Sequence, residues 1–161
     1  MPRWDANVYL RFADERTQPS IDLAQRIALS GPRRIVDIGC GPGNSTEVLR
    51  RRWADASILG LDSSPQMIDA ARQRHPQGEW LVADATSWEP AEALDLIFSN
   101  ATFQWLANHE SLCPRLLRQL RPGGALAVQM PAHFDSHSIA RSWKCRGTPP
   151  GLNAWRELAT P

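Results

Sequence analysis

The sequence has no long hydrophobic run and no marked excess of charge of one sign. No stretch approaches the roughly 20 apolar residues that cross a bilayer, and the first residues lack the apolar core of a signal peptide. The formal net charge is +1, so the composition favours neither a nucleic-acid backbone nor an anionic membrane as the main partner. These absences predict a cytoplasmic protein with no nucleic-acid partner and no membrane partner.

Cysteine is also scarce, with Cys40, Cys113 and Cys145 widely spaced and in no C-x-x-C arrangement. An odd number of scattered cysteines indicates neither a disulfide framework nor a zinc site, so no metal is predicted. Cys40 has no histidine nearby in sequence to activate it, which favours a small packing residue over a nucleophile. The 161 residues, 42% of them hydrophobic, are enough for one folded domain.

Short apolar runs alternate with helical patterns along most of the chain. The predicted strands are residues 34–38, 57–62, 80–83, 94–98 and 125–129. Strands that are apolar on both faces and separated by helices predict a parallel sheet covered on both sides. In such an α/β sheet, ligands bind at the carboxyl ends of the strands, near the point where the strand order reverses.

The helices between these strands carry recognisable start and stop signals. A helix is predicted to begin at Pro19, and Ser64 with Pro65 should cap the helix after the second strand. Leucines at helical spacing predict a helix before residues 121–124, with Pro114 near its first turn. The Arg-Pro-Gly-Gly sequence at 121–124 predicts a turn.

The chain divides into three predicted parts. Residues 1–30 form an N-terminal helical cover, residues 31–133 the ligand-binding core, and residues 134–161 an irregular tail. The tail shows no sixth or seventh strand, and only short helices are predicted, at 138–143 and 152–158. An open sheet edge would follow, so we expect a marginally stable, weakly active monomer or a dimer formed through that edge.

The most informative motif is the glycine-rich loop at residues 37–43, Asp-Ile-Gly-Cys-Gly-Pro-Gly. It links an apolar strand to a helix that opens at Asn44, and alternate glycines leave backbone bare enough for a ligand. A dinucleotide-binding fingerprint would need its third glycine at position 44, and no Lys-Ser/Thr of a triphosphate loop follows. A purely structural turn is the alternative interpretation of such a loop.

Polar residues with suitable chemistry follow the next strands. Asp62 comes about twenty residues after the glycine loop, the distance at which an acid reaches a ribose in α/β nucleotide sites, although a helix-capping acid is the alternative. Asp84 could accept the exocyclic amine of an adenine, and the Ala85 amide could donate to its ring. Met67 and Trp88 are candidate walls for that ring, or simply core residues.

These residues together resemble the class I S-adenosylmethionine-dependent methyltransferases, with a Rossmann-like doubly wound sheet of mainly parallel strands. The likeness is stronger still to the bacterial trans-aconitate methyltransferases. It rests on segments throughout residues 1–133: Trp4, 9–16, 43–46, 62–68, 95–101, 104–106 and 127–131. Relatives of this kind complete the sheet with an antiparallel pair, whereas this chain departs from them in its tail and is expected to lack the last strands.

The resemblance implies S-adenosylmethionine as cofactor and a small carboxylic acid as substrate. The predicted cofactor-binding residues are Asp37, Gly39, Cys40, Gly41, Gly43, Asn44, Asp62, Ser63, Met67, Asp84, Ala85 and Asn100. No catalytic residue is certain, and the candidates for positioning the substrate are Tyr9, Arg16, Asn100, Gln104 and Trp105. The implied reaction esterifies a carboxylate of a tricarboxylic acid such as trans-aconitate.

Three other functions compete with this prediction. A cofactor-binding remnant would bind S-adenosylmethionine but transfer little or no methyl. A nucleic-acid amino-methyltransferase would carry two prolines after the fourth strand, where residues 99–103 have none. A nicotinamide dehydrogenase is disfavoured by the glycine spacing.

Overall fold

The computed structural model describes the backbone of residues 13–131, Ala140–Arg146 and Arg156–Leu158, and the side chains of residues 17–131. The described elements, in chain order, are α1 (Ala13–Gln25), β1 (Arg34–Ile38), α2 (Asn44–Arg52), β2 (Ser57–Asp62), α3 (Pro65–Arg74), β3 (Glu79–Val82), β4 (Leu94–Asn100), a 3₁₀ turn (Phe103–Trp105), α4 (His109–Arg118), β5 (Leu120–Pro131), β6 (Ala140–Arg146) and β7 (Arg156–Leu158). Among these residues, no helix is long and apolar enough to cross a membrane.

The strands form one sheet in the order β3-β2-β1-β4-β5-β6-β7. The first five strands in sequence pair in parallel, and β6 then runs antiparallel to both β5 and β7. The strand order reverses between β1 and β4, and in such sheets the crevice that binds ligands lies there, at the carboxyl ends of the strands. The predicted parallel α/β sheet is confirmed, and its glycine loop lies at this crevice.

Two apolar layers hold helices on opposite faces of the sheet. On one face, Leu23 and Ile27 of the α1 region and Leu49 of α2 pack against alternate residues of β1 and β4. On the other face, Leu112 and Leu116 of α4 pack against the intervening residues. Because β1, β4 and β5 are buried on both faces, the central sheet is a rigid base for the loops at its ends.

The tail contains two strands that the sequence did not predict. β6 pairs with β5 over seven residues and β7 pairs with β6 over three, in the segment where short helices or irregular chain were expected. The outer edge of β5 is therefore occupied, and the predicted open edge for dimerisation is wrong at that strand. The pairing depends on backbone groups of β5, which the local sequence of the tail does not reveal.

Further differences from the sequence prediction arise where long-range packing outweighs local signals. Pro19 lies inside α1 instead of starting a helix, and Pro114 lies beyond the first turn of α4. β3 is an outer strand whose Leu81 and Val82 are 36% and 40% exposed, so it is not covered on both faces. The predicted turn at 121–124 is instead a bulged part of β5: Leu94 pairs with Leu120 and Leu96 with Ala125.

Candidate functional site

The glycine loop adopts a backbone that side chains disfavour. The φ angles of Gly39, Gly41 and Gly43 are 71°, 54° and 92°, all in the left-handed region. The N–H groups of Gly39 and Cys40 donate to the carbonyl of Leu61, at 2.7 and 3.1 Å. The loop is thus attached to the end of β2, and Gly43 leads directly into α2.

Asp62 connects the loop to the next helix. Its Oδ2 accepts from the Gly41 N–H at 2.9 Å, and its Oδ1 accepts from the Ser64 N–H at 2.9 Å. Partial burial raises the pKa of the Asp62 carboxyl, and the backbone hydrogen bonds partly offset this rise. Asp62 organises the start of α3, as the helix-capping interpretation predicts, and it also hydrogen-bonds the glycine loop; its predicted contact with a ribose stays a prediction.

The helix start after Asp62 forms as predicted. Ser64 is the N-cap of α3, its hydroxyl accepts from the Met67 N–H at 3.4 Å, and Pro65 occupies the first turn. Ser63 is exposed beside this cap, whereas Met67 is only 4% exposed. Of the two predicted roles for Met67, packing therefore has direct structural support.

Asp37 lies behind the loop with no exposed surface. Its Oδ2 accepts from the hydroxyls of Ser45 and Thr46 at 2.6 and 2.7 Å, and its Oδ1 has no hydrogen-bond partner. Burial raises the pKa of Asp37 to about 6. Asp37 therefore supports the junction of the loop and α2 through Ser45 and Thr46, and its predicted contact with the cofactor stays a prediction.

Cys40 and Asn44 are engaged within the protein. The Cys40 thiol donates to the Gly41 carbonyl at 3.5 Å, and burial raises its pKa well above the usual range. A thiol that stays protonated is a poor nucleophile, which agrees with the packing role predicted for Cys40. The Asn44 side chain accepts from Arg74 at 2.8 Å.

The segment after β3 forms a tight turn. Asp84 is exposed, and its Oδ1 accepts from the N–H and the hydroxyl of Thr86 at 2.8 and 2.7 Å. These hydrogen bonds lower the pKa of Asp84. Ala85 is buried. The partly buried Trp88 side chain packs against the apolar layer under α4. Asp84 is therefore an ionised acceptor at the rim of the crevice, and Trp88 has a core role.

The end of β4 meets the glycine loop from the opposite side. The Thr102 hydroxyl lies 3.3 Å from the carbonyl oxygens of Gly39 and Asn100. Ala101 has a positive φ of 54°, which is unfavourable for a residue with a side chain. Its N–H donates to the Gln129 carbonyl at 2.8 Å, so β5 also restrains this turn.

Side-chain amide oxygens without hydrogen-bond partners surround this turn. Asn100 and Gln129 are paired neighbours on β4 and β5. The side-chain oxygens of Asn100, Gln104 and Gln129 are buried without hydrogen-bond partners, while the Gln104 amide nitrogen donates to the Ala101 carbonyl at 2.9 Å. Trp105 is 62% exposed beside them. These side chains can hydrogen-bond a polar ligand or pack against it.

Three residues of this arrangement were not predicted from the sequence. Thr102 contacts the glycine loop, Gln129 adjoins Asn100, and Arg115 donates to carbonyls of the turn after Asp84. No local motif marks them, because each acts across a long sequence separation. Of the predicted N-terminal positioning residues, Tyr9 and the Arg16 side chain lie outside the described part of the chain.

Comparisons with known proteins agree with this geometry. A family model described as a methyltransferase domain matches residues 35–124. A TehB-like SAM-dependent methyltransferase from Corynebacterium glutamicum aligns with a TM-score of 0.64 at 25% identity, over 80% of this chain and 73% of that one. The plantazolicin methyltransferase BpumL in complex with a pentazolic desmethylPZN analog and SAH aligns with a TM-score of 0.60 at 24% identity, over 76% and 47% of the two chains. The chain belongs to the methyltransferase domain family and has the class I methyltransferase fold.

Curated relatives at higher identity carry a more specific name. A trans-aconitate 2-methyltransferase of Azoarcus sp. (strain BH72) is 53% identical over 143 residues, covering 88% of this chain and 56% of the relative. A trans-aconitate 2-methyltransferase of Klebsiella pneumoniae (strain 342) is 44% identical over 170 residues, covering 99% of this chain and 67% of the relative. This chain thus spans between about half and two thirds of the length of these relatives.

Proposed function

We propose that this chain binds S-adenosylmethionine and transfers its methyl group to a carboxylate of a small tricarboxylic acid such as trans-aconitate. The observation that carries this proposal is the Asp62 carboxylate, which joins the left-handed glycine loop to the start of α3 at the crevice. The curated relatives, named for trans-aconitate, support the acceptor.

The side chains at the crevice suit the adenosine part of this cofactor. The Asp62 oxygens accept the Gly41 and Ser64 N–H groups, and the carboxylate has further lone pairs that can accept hydrogen bonds from ribose hydroxyls. Asp84 uses Oδ1 for Thr86, which leaves Oδ2 for the exocyclic amine of adenine. The exposed position of Asp84 makes that oxygen accessible.

The bound cofactor would supply an electrophilic methyl group on a positively charged sulfur. The acceptor carboxylate would take this methyl group, with a C–O bond forming as the C–S bond breaks and the electron pair staying on sulfur. A carboxylate with a pKa near 4 is already ionised at pH 7, so the attack needs no general base. The protein's task is to align the two groups and exclude water.

The end of β4 is the best placed segment for this alignment. Thr102 contacts the glycine loop, and Gln104 and Trp105 follow it on the same short turn. The unpartnered side-chain oxygens of Asn100, Gln104 and Gln129 can accept hydrogen bonds from the ammonium group of the methyl donor. Donor and acceptor would then meet between the loop and this turn.

The test is methyl transfer from tritiated S-adenosylmethionine to a panel of small carboxylic acids, with binding of S-adenosylhomocysteine measured by calorimetry. We expect cofactor binding and transfer to trans-aconitate, and no transfer to its trimethyl ester, which has no free carboxylate. Binding without transfer to any acid would support a cofactor-binding domain alone. Absence of binding would contradict the proposal.

A further inference from the structure

The turn after β3 is held from outside by one arginine of α4. The Arg115 guanidinium donates through one nitrogen to the Trp88 carbonyl at 2.7 Å and through another to the Ala85 carbonyl. These partners lie 27 and 30 residues away in sequence. Gln119, one turn further along the helix, donates to the same Trp88 carbonyl at 3.2 Å.

The turn itself is closed by Asp84. The Asp84 carbonyl accepts from the N–H groups of Ser87 and Trp88, at 3.1 and 2.9 Å, and its Oδ1 accepts from Thr86 at 2.8 Å. These hydrogen bonds occupy the N–H groups of residues 86–88 and leave that of Ala85 for another acceptor. Arg115 restrains the turn at two points, the Ala85 and Trp88 carbonyls. The turn therefore holds the Asp84 carboxylate and the Ala85 N–H at a fixed spacing.

We infer that Arg115 is the positioning residue that sets base specificity at the cofactor site. This inference rests on the proposed function, and it assigns the role to a side chain that does not touch the cofactor. The Asp84 carboxylate accepts from an exocyclic amine and the Ala85 N–H donates to a ring nitrogen, which is the pattern that adenine presents. Hypoxanthine presents the reverse pattern, a carbonyl oxygen and a protonated ring nitrogen.

Arginine suits this role better than lysine would. A guanidinium is a planar fork that donates to two carbonyls at once, whereas an ammonium is a point charge on a flexible stem. A lysine at position 115 keeps the charge but holds one carbonyl at most. The turn would then be tethered at a single point, and the spacing between the Asp84 carboxylate and the Ala85 N–H would vary.

The test measures binding of S-adenosylhomocysteine and S-inosylhomocysteine to the full chain by calorimetry. We expect the wild type to prefer the adenine ligand, and Arg115→Lys to reduce that preference by about fivefold or more, mainly through weaker adenine binding. Arg118→Lys is the matched control, because Arg118 is exposed on the last turn of the same helix. It should leave the preference unchanged.

Thermal unfolding and near-ultraviolet circular dichroism confirm that each variant is folded, and lysine is chosen at position 115 because it keeps the positive charge. A purely structural role for Arg115 would weaken both ligands by the same factor and would overturn the inference. An unchanged preference in folded Arg115→Lys would overturn it too. If the wild type binds neither ligand, the proposed function itself is contradicted. Failure of the inference alone is distinguishable, because the wild type then still binds S-adenosylhomocysteine.

Discussion

Thr102 occupies the space that a side chain at Gly39 would need. A Cβ built on Gly39 would lie 2.0 Å from the Thr102 hydroxyl oxygen and 2.6 Å from the Thr102 Cβ. Glycine is therefore required at position 39 for two reasons, the positive φ of 71° and the contact with the turn after β4. The glycine loop is thus in direct contact with the turn after β4 at position 39.

Gly39→Ala should destabilise the fold more than Gly31→Ala. Gly31 also has a positive φ, of 64°, but nothing lies within 4 Å of a Cβ built on it. The loss of stability in Gly31→Ala therefore reflects backbone strain alone, about 1–2 kcal/mol. Gly39→Ala adds overpacking against Thr102, on the order of a further 1–3 kcal/mol. Urea unfolding of both variants measures the difference.

The double variant Gly39→Ala, Thr102→Gly should recover part of this loss, because it removes the Thr102 side chain but not the backbone strain. Equal losses in the free energy of unfolding for Gly31→Ala and Gly39→Ala would show that the Thr102 side chain moves aside without destabilising the fold.

Asp62→Asn should weaken S-adenosylhomocysteine binding by roughly ten- to a hundredfold, and Asp62→Ala by at least as much. An asparagine accepts through one oxygen only, so it can serve either the Gly41 N–H or the Ser64 N–H while its amide nitrogen faces the other donor. Calorimetry measures the change. Asp69→Asn is the control, since Asp69 is exposed on α3 and paired with Arg72 at 3.3 Å. If Asp69→Asn weakens binding as much as Asp62→Asn does, the loss of a negative charge explains the weaker binding, and the hydrogen bonds of Asp62 do not.

Asp37→Asn should change how stability depends on pH. Folding raises the pKa of Asp37 from 3.8 to about 6, so the folded state binds its proton more tightly than the unfolded state does. The free energy of unfolding then falls as pH rises from about 4 to 6, by at most about 3 kcal/mol from this group. Asp62, whose pKa is also raised, contributes in the same direction.

Asparagine does not titrate, and its oxygen can still accept from Ser45 and Thr46. Asp37→Asn should therefore flatten the stability profile between pH 4 and 6, leaving the part due to Asp62. Chemical unfolding at half-unit pH intervals measures both profiles. A variant profile as steep as that of the wild type would contradict the burial of an ionisable Asp37.

Asp95→Ala should reduce stability while cofactor affinity is maintained. Asp95 is 3% exposed, its Oδ2 accepts from the Arg33 and Arg34 N–H groups at 2.6 and 2.9 Å, and it forms an ion pair with Arg121. Removing the carboxylate leaves these donors without their acceptor, at a cost of about 2–4 kcal/mol.

Asp95 joins the start of β1 to the bulge in β5, at the opposite end of the strands from the glycine loop. Binding of S-adenosylhomocysteine below the unfolding transition should therefore match that of the wild type. Arg121→Gln is a milder companion change, because Arg121 is half exposed and the backbone donors keep their acceptor. Weaker ligand binding by folded Asp95→Ala would show that the two ends of the sheet are coupled.

Local sequence signals determined much of the core of this protein. The bounds of β1 and β2, the Ser64 cap with Pro65, and the glycine loop followed by acids at strand ends were all predicted from the residues. Each depends on neighbours within a few positions: strand apolarity, a capping hydroxyl, or a backbone conformation that glycine permits. For the same reason, the parallel α/β fold followed from the alternation of strands and helices.

Only the tertiary structure decided which groups meet. Thr102 reaches Gly39 across 63 residues and Arg115 reaches Ala85 across 30, because parallel pairing of β1 with β4 and packing of α4 bring distant segments together. Asp37 is buried and hydrogen-bonds the start of α2, and Ala140–Arg146 in the tail forms a strand by pairing with β5. Hydrogen bonding and desolvation across the sheet carry no local sequence pattern, so they appear only once the chain has folded.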